Sequence, residues 1–346
     1  MKSVYDLEFD ELCSLICSMG EKKFRAHQVS FWLYQKKIGD FSLMTDLPEQ
    51  FRLNLSSVLT GHGMKITLTS ESPDGTVKFL ISLSDGETVE TVIIPDKNRL
   101  TLCVSSQVGC PVGCAFCATA KIGFIRQLAA HEIIGQYLLA EEFSRTRGLQ
   151  ITNVVLMGMG EALLNYDNVL KALRIFSNPR MLSFSRRRIT VSTAGFLPGL
   201  SRFADTPFLG SLAISLGGAF QRQREQLIPF GREFTLKKLL NFCHEHRLAP
   251  RQRYTFAYVL IAGVNDSDQD AAELAVILKD IPCKINLIPY NETPLVREFH
   301  SPEPARVESF GKILLDNHYT VLVRKSRGRD ISAACGLLRA GYENKT

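Results

Sequence analysis

The stretch Gly109–Ala118 reads Gly-Cys-Pro-Val-Gly-Cys-Ala-Phe-Cys-Ala and places three cysteines within eight residues. Cys110, Cys114 and Cys117 have the spacing C-x3-C-x2-C, and no fourth cysteine follows at ligand spacing. Structural zinc sites use four protein ligands in a closed tetrahedron, whereas three thiolates on a [4Fe–4S] cluster leave one iron open. The spacing therefore favours a three-thiolate [4Fe–4S] site in a tight loop of small residues.

An open iron can chelate a ligand through an amino group and a carboxylate. S-adenosylmethionine carries both groups, so it is the natural candidate for this position. The alternative is a zinc site with a distant fourth ligand, for which Cys103 and His131 are candidates. Zinc sites more often pair two C-x2-C knuckles, which this stretch does not contain.

The composition is that of an ordinary globular protein with one large and one smaller domain: 346 residues, 45% hydrophobic and 22% charged. No apolar run approaches the roughly 18 residues of a membrane-spanning helix. The acidic start, Met1–Asp10, does not resemble a signal peptide. We therefore expect a cytoplasmic protein without membrane contact. In that compartment nine cysteines favour metal ligation or redox chemistry over disulfides.

The basic residues are clustered, although the net charge is only +6. Each cluster alone is typical of a solvated face. Clusters that share one rim would form an electrostatic footprint for RNA. The four clusters are Arg186–Arg188, Arg222 with Arg224, Arg251 with Arg253, and Arg324–Arg329.

The hydrophobic periodicity divides the chain into three parts. Residues 1–60 have helical spacing, with Trp32 in the expected core, and form an accessory domain. Its basic edge at Lys22–Arg25 suits RNA docking, and a plain packing subdomain is the alternative. Residues 61–100 alternate as strands, with hairpin turns at Asp74-Gly75 and Asp85-Gly86. Residues 101–346 alternate between strands and helices.

This third part predicts an α/β fold with a parallel sheet and crossover helices. In folds of this kind, functional residues follow the carboxyl ends of the strands. The predicted strands are 152–157, 188–192, 210–216, 254–261, 284–288 and 320–323. The predicted helices are 129–145, 165–177, 236–247, 268–279 and 304–317.

Several separated motifs resemble a known family. Leu102–Cys110, Gly158–Glu161 and Asp330–Gly336, together with the cysteine triplet, resemble the RlmN/Cfr-type radical-SAM RNA adenine methyltransferases and are closest to the RlmN branch. The resemblance runs from about Gly20 to about Leu338. It implies a partial (β/α)6 barrel, open on one side, with a helical N-terminal domain and a β-hairpin extension.

The resemblance also implies the cofactors and their ligands. Cys110, Cys114 and Cys117 hold the [4Fe–4S] cluster, and two molecules of S-adenosylmethionine are used per turnover. One position departs from the family, because Gly217 stands where a histidine is usual, which leaves only a backbone contact there. The expected S-adenosylmethionine site comprises Gly160, Glu161, Ser192, Ser215, Leu216, Gly217 and Asn291.

Three further residues acquire roles only through the resemblance. Cys335 is implied to be the cysteine that becomes methylated, Cys103 the second catalytic cysteine, and Glu90 the proton acceptor. From the residues alone, Cys335 is typical of a small packing residue and Glu90 of a solvent-facing strand position. The remaining cysteines, Cys13, Cys17, Cys243 and Cys283, are interpreted as packing residues.

The implied substrate is 23S rRNA, with tRNA as a further candidate, and a flavodoxin or ferredoxin supplies electrons. The methyl group passes from the methylated Cys335 to the adenine ring, and a Cys103–Cys335 disulfide then releases the product. This requires the C-terminal segment to fold back over the barrel mouth. Carbon 2 is the preferred position, although Ala162 is typical of the carbon-8 branch. Rivals of another class are a zinc-ribbon RNA-binding module and an iron–sulfur electron carrier.

Overall fold

The computed structural model describes residues 1–207, 210–246 and 252–338. None of the helices in these ranges combines the length and apolarity that a bilayer-spanning helix needs. The cytoplasmic location expected from the sequence stays a prediction. Arg251 and the end of the predicted helix 236–247 lie outside the described residues.

The N-terminal module, residues 1–60, is helical as predicted. Two very short parallel strands, β1 and β2, join its two ends. Trp32 is only 5% exposed, which confirms it as a core residue. The elements are β1 (Lys2–Ser3), α1 (Phe9–Ser18), α2 (Phe24–Ser30), a π-helical turn (Phe31–Lys36), α3 (Glu49–Val58) and β2 (Leu59–Thr60).

An ion pair and a histidine–carboxylate contact fix this module against the rest of the chain. Lys37 pairs with the buried carboxylate of Glu141. Glu141 belongs to the helix Ala130–Arg145. Near the start of that helix, His131 Nδ1 lies 2.9 Å from Asp6 Oδ2. His131 is therefore engaged with the N-terminal module, which removes it as a fourth ligand for the cysteine loop.

Four antiparallel strands follow, joined by the predicted hairpin turns at Asp74-Gly75 and Asp85-Gly86. They extend the main sheet rather than form a separate layer, because the last of them pairs in parallel with a barrel strand, Cys103 opposite Val155. These strands are β3 (Lys65–Glu71), β4 (Val77–Ser82), β5 (Thr88–Asp96) and β6 (Arg99–Val104).

The remainder is the predicted alternation of strands and helices. Within the described residues the main sheet has ten strands, in the order β14-β13-β12-β11-β10-β9-β6-β5-β4-β3. Within that order the seven strands from β14 to β6 pair in parallel, and the sheet keeps two free edges, so the barrel is partial and open as expected. Strands β7 and β8 pair with each other in a separate antiparallel sheet. The strands are β7 (Gln107–Gly109), β8 (Phe124–Gln127), β9 (Asn153–Leu156), β10 (Ile189–Thr193), β11 (Ser211–Ser215), β12 (Tyr254–Leu260), β13 (Cys283–Pro289) and β14 (Val321–Val323).

The crossover helices pack on the outside of this sheet. Three helices, α4, α7 and α8, were not predicted, because they are only five, eight and seven residues long. The helices are α4 (Ala118–Ile122), α5 (Ala130–Arg145), α6 (Tyr166–Ser177), α7 (Leu197–Ala204), α8 (Gln221–Leu227), α9 (Leu236–Glu245), α10 (Asp268–Ile277) and α11 (Pro304–Asp316).

Three of the four cysteines interpreted as packing residues, Cys13, Cys243 and Cys283, are buried. The interpretation of Cys17 is wrong, because its side chain is exposed. On α1 the buried stripe consists of Phe9, Leu12, Cys13 and Ile16. Cys17 comes one residue after Ile16 and turns away from that stripe, since successive helical residues are about 100° apart.

The basic clusters do not share one rim. Arg186–Arg188 are exposed and precede the amino end of β10, whereas Arg324 follows the carboxyl end of β14. A five-residue strand such as β10 is about 16 Å long, so these clusters lie at opposite ends of the barrel. Arg224 is no surface residue at all, because it is 0% exposed.

Candidate active site

The cysteine loop, Cys110–Cys117, lies between the two strands of the β7–β8 hairpin. The amide of Cys110 donates a 2.8 Å hydrogen bond to the carbonyl of Gly123, which closes the hairpin beneath the loop. Gly109 has φ +73°, and a Cβ there would lie 1.9 Å from the same carbonyl. The loop can therefore close only with glycine at position 109.

The three cysteines of the loop are half-buried, line one cavity and lie near one another. Burial raises the pKa of Cys110 to about 12, and it also raises those of Cys114 and Cys117. Mutual repulsion between their negative charges adds to the shift of Cys114. Thiols in such a place ionise only when a metal replaces the proton.

These thiols do not form a site for a single metal ion. Within the described ranges, no group of three or more His, Cys, Asp and Glu side chains is arranged to hold one ion. Zinc would need four ligands within about 2.3 Å of one point. A cluster with a separate iron at each corner holds its thiolates farther apart, so the loop suits the cluster better than zinc.

Glu161 follows β9 and points into the same cavity. Its Oε2 accepts a 2.6 Å hydrogen bond from the amide of Ala194, and its own amide donates a 2.7 Å bond to Gln107 Oε1. The residue is 4% exposed, and burial raises the pKa of its carboxyl group. A ligand ammonium group beside this carboxylate would favour its charged form.

Three polar atoms around the cavity are buried and have no hydrogen-bond partner among the described residues. They are Asn286 Oδ1, Tyr290 OH and Asn291 Oδ1. Buried polar groups in native proteins nearly always have partners, so these atoms indicate the place of a polar ligand. The cavity is lined by Cys110, Cys114, Cys117, Gly160, Glu161, Ser192, Ser215, Asn286, Tyr290, Asn291, Arg324 and Cys335, among others.

Two of the predicted ligand residues, Leu216 and Gly217, are not among the lining residues. Leu216 is fully buried, and its amide bonds to Ala257 on β12. The carbonyl of Gly217 accepts a 3.0 Å hydrogen bond from Asn265. The structure thus shows both residues supporting the wall behind Ser215, and a direct contact with a ligand stays a prediction.

The C-terminal segment, Arg324–Leu338, folds back over this mouth of the barrel. Asn291 Nδ2 donates a 3.1 Å hydrogen bond to the carbonyl of Cys335. The carbonyl of Gly336 accepts a 2.7 Å bond from the amide of Ala118, directly after the cysteine loop. Cys335 is thereby held at the cavity that the cysteine loop also lines.

Cys103 approaches the same region from β6. Burial, followed by the nearby Cys335 charge, raises the pKa of the Cys103 thiol to about 12. The Arg324 guanidinium lies close to both sulfurs, and its own pKa is raised, first by Cys335 and then by Cys103. Both cysteines are free thiols in this structure.

Glu90 lies on the strand next to Cys103. Cys103 pairs directly with Val92, and Glu90 lies two residues before Val92, on the same face of the sheet. Glu90 is only 3% exposed, so its interpretation as a solvent-facing residue is wrong. The face that looks solvent-exposed in the local sequence is covered by the C-terminal segment.

Sequence reasoning missed two residues that shape this site. Lys78 pairs with Glu90 at 2.8 Å. Arg224 donates hydrogen bonds of 2.8–3.1 Å to the carbonyls of Ala194, Ser215, Leu216 and Phe234, and so ties together the ends of β10 and β11. Buried lysine and arginine are rare, and no local pattern marks either position.

The arrangement fits the predicted cofactors. Three half-buried thiols, a buried carboxylate and unpartnered polar atoms surround one cavity at the carboxyl ends of parallel strands. The thiols suit three corners of an iron–sulfur cluster, and Glu161 with the orphan amide and hydroxyl groups suits an amino-acid ligand carrying a nucleoside.

Comparison with known proteins identifies the family of the chain. Residues 3–60 match the family described as ribosomal RNA large subunit methyltransferase N-terminal domain, and residues 104–275 match the radical SAM superfamily. The dual-specificity RNA methyltransferase RlmN of Solidesulfovibrio magneticus is 46% identical over 342 residues, covering 98% of this chain and 97% of that protein. The protein of the same name from Geobacter sulfurreducens is 42% identical, covering 98% and 92%.

A solved structure matches equally well. The crystal structure of a radical SAM methyltransferase from Sphaerobacter thermophilus has a TM-score of 0.94 and 40% identity, and the match covers 98% of this chain and 100% of that one. Matches of this identity and length extend over the N-terminal module, the hairpin strands and the barrel together. The chain therefore belongs to the RlmN family of radical SAM RNA methyltransferases.

Proposed function

We propose that this protein methylates carbon 2 of an adenine in 23S rRNA, and that it also accepts tRNA. The observation that carries the proposal is that Cys335 lines the same cavity as the cysteine loop, while Cys103 lies close to Cys335 and Arg324. The printed names of the relatives describe dual-specificity RNA methyltransferases, which supports both RNA classes as substrates.

The cofactors define the chemistry that the site needs. Carbon 2 of adenine is an electron-poor sp2 carbon, and it is not nucleophilic enough to attack a sulfonium methyl group. A [4Fe–4S] cluster on Cys110, Cys114 and Cys117, with S-adenosylmethionine beside Glu161, supplies radical chemistry once a flavodoxin or ferredoxin has donated an electron. Two molecules of S-adenosylmethionine are used per turnover, one as methyl source and one as radical source.

The protein's own residues carry the methyl group and move the proton. The Cys335 sulfur would take up a methyl group from one S-adenosylmethionine, which leaves as S-adenosylhomocysteine. One hydrogen atom of this methyl group would leave with the deoxyadenosine derived from the second S-adenosylmethionine, and the remaining carbon would bond to the ring. Glu90 accepts the proton that leaves the ring carbon. Cys103 then attacks the Cys335 sulfur, so that a disulfide forms and the methylated base is released. The proximity of Cys103, Cys335 and Glu90 supports this order.

The open edge of the barrel and the charges at its mouth support a large nucleic acid as substrate. Lys325, Arg327 and Arg329 lie in the segment that carries Cys335, at the carboxyl ends of the strands. We assign the N-terminal module, with its basic edge at Lys22–Arg25, to docking of the RNA. The opposite end of the barrel, with Arg186–Arg188, lies too far from the mouth to contact the reacting base.

Carbon 8 is the second candidate position, because Ala162 follows Glu161 where carbon-2 enzymes commonly have proline. It is not favoured, since the matched relatives are named RlmN. Mass spectrometry of rRNA nucleosides from a deletion strain tests the choice. Loss of 2-methyladenosine is expected, and loss of 8-methyladenosine would contradict carbon-2 specificity.

The two rivals without methylation are tested on the purified protein. Under anaerobic conditions with dithionite and S-adenosylmethionine, we expect about four irons per cluster and formation of deoxyadenosine. A colourless protein containing zinc would indicate the RNA-binding module. A cluster without deoxyadenosine formation would indicate an electron carrier.

A further inference from the structure

Lys78 is largely covered, on the face of the hairpin strands that lies beneath the C-terminal segment. It belongs to β4, between the buried residues Val77 and Phe79. Its side chain is 12% exposed, and its ammonium group lies 2.8 Å from Oε1 of Glu90, whose side chain is 4% exposed. Neither residue is at the surface, where ion pairs of this kind usually occur.

The same ammonium group reaches the C-terminal segment. Lys78 Nζ lies 3.4 Å from the carbonyl of Ser332, three residues before Cys335. One cation is therefore shared between the carboxylate that we assign as proton acceptor and the backbone that carries the methyl-bearing cysteine. Its three N–H donors allow it to serve both acceptors together.

The neighbouring turn anchors the segment as well. Ser72 Oγ donates a 2.7 Å hydrogen bond to Asp330 Oδ1. The amide of Gly328 donates a 3.0 Å bond to Asp74 Oδ2. These bonds hold the base of the segment to the β3–β4 turn, and within this contact Lys78 is the link that also touches Glu90.

We propose that Lys78 is a positioning residue, which aims the Glu90 carboxylate and ties it to the segment that carries Cys335. The inference rests on the proposed function, since it assumes that Glu90 accepts the ring proton. The 2.8 Å contact between Lys78 Nζ and Glu90 Oε1 fixes the direction in which the carboxylate points. Because Lys78 contacts both groups, docking of the C-terminal segment and placement of the Glu90 carboxylate are coupled.

The proposal separates two outputs of the enzyme. Formation of deoxyadenosine depends on the cysteine loop and the cavity around Glu161, whereas proton removal depends on Glu90. Loss of Lys78 should therefore leave radical initiation intact and lower the yield of methylated adenine per deoxyadenosine. A lysine with a purely structural role would lower both outputs together.

The test compares K78M, K78R and the matched control K65M, which removes an exposed lysine from the adjacent strand β3. In K78M we expect normal cluster absorbance and normal deoxyadenosine formation, with methylation reduced about 100-fold, as for loss of a proton-transfer group. K78R keeps the charge and should recover much of the methylation. K65M should match the wild type.

A second measurement, limited cleavage by trypsin, needs no turnover of S-adenosylmethionine. In the cluster-loaded protein without S-adenosylmethionine, trypsin should cut after Arg327 and Arg329 faster in K78M than in K65M or the wild type. Equal cleavage rates in K78M and the wild type would contradict the tie between Lys78 and the segment.

A double-mutant cycle with E90Q decides whether Lys78 acts through Glu90. If it does, K78M/E90Q methylates at the rate of E90Q, because the two losses are not additive. A further large loss in the double variant would overturn the proposal, as would a parallel fall of deoxyadenosine in K78M. If K78M does not fold, the double variant K78M/E90Q can still be used, because it lacks both charges of the pair. Its methylation rate is then compared with that of E90Q alone. A wild-type enzyme that methylates no adenine would instead overturn the proposed function.

Discussion

Asn291 Nδ2 donates a 3.1 Å hydrogen bond to the backbone carbonyl of Cys335 and so joins the cavity wall to the C-terminal segment. The other amide atom, Oδ1, is buried in the cavity without a partner among the described residues. One side chain therefore borders both the cavity and Cys335. A ligand that bonds to Oδ1 would fix the amide plane and with it the position of Cys335.

Replacing Asn291 by Ala should loosen the segment. Loss of one hydrogen bond worth about 1 kcal/mol raises the population of the open segment about fivefold. Trypsin cleavage after Arg327 and Arg329 should accelerate by that factor, and binding of S-adenosylmethionine should weaken. Asn98→Ala, at an exposed turn, is the control. Unchanged cleavage in Asn291→Ala would show that this hydrogen bond does not hold the segment.

Replacing any one of Cys110, Cys114 or Cys117 by Ala should abolish the brown colour and the formation of deoxyadenosine, because each thiolate is assigned to one iron of the cluster. Iron content and product analysis of anaerobic preparations measure both. Cys17→Ala removes an exposed cysteine and should leave both unchanged. A loop variant that keeps its full cluster and its activity would show that the ligand assignment is wrong.

Cys335→Ala and Cys103→Ala should fail at different steps. Without Cys335 the enzyme keeps its cluster but has no methyl carrier, so RNA is not methylated. Without Cys103 the adduct between Cys335 and adenine forms but is not resolved. Denaturing gels of Cys103→Ala should therefore show a protein–RNA species that ribonuclease shortens. Equal trapping by both variants, or an active Cys103→Ala enzyme, contradicts these roles.

Arg224→Ala should destabilise the barrel. The guanidinium is fully buried and satisfies four backbone carbonyls, and leaving them unpaired costs about 3 kcal/mol in the free energy of unfolding. Arg224→Lys should recover only part of this, since an ammonium group cannot reproduce the planar fork of donors. Arg222→Ala, exposed on the same helix, is the control in thermal unfolding. Equal midpoints for both alanine variants would refute this role.

The barrel strands could be predicted from sequence because each is a short apolar run between turn residues. The predicted strand 254–261, for example, is observed at Tyr254–Leu260. The helices α4, α7 and α8 escaped prediction because each spans no more than eight residues, about two helical turns. The cysteine loop could also be located, since the spacing C-x3-C-x2-C is visible in the sequence and by itself indicates three thiolate ligands.

The surroundings of Glu90 could not be predicted in this way. Its strand alternates like any half-exposed strand, and the chain that covers its outer face arrives much later. Ser72 and Asp330, which bond across this contact, are 258 residues apart in sequence. The burial of Arg224 could not be predicted for a similar reason. Its helix is polar in sequence, and the carbonyls that the guanidinium binds belong to the ends of other elements, β10 and β11.

The most direct test of the central claim, that the methyl group travels through the Cys335 sulfur, uses S-adenosylmethionine with a trideuterated methyl group. The enzyme is incubated anaerobically with reductant, RNA and an excess of the deuterated S-adenosylmethionine. The mass of the methylated adenosine is then measured by mass spectrometry. A methyl group that loses one hydrogen on Cys335 before it joins the ring arrives with two deuterium atoms, and Cys335→Ala gives no product. Product with three deuterium atoms, or methylation by Cys335→Ala, would contradict the account.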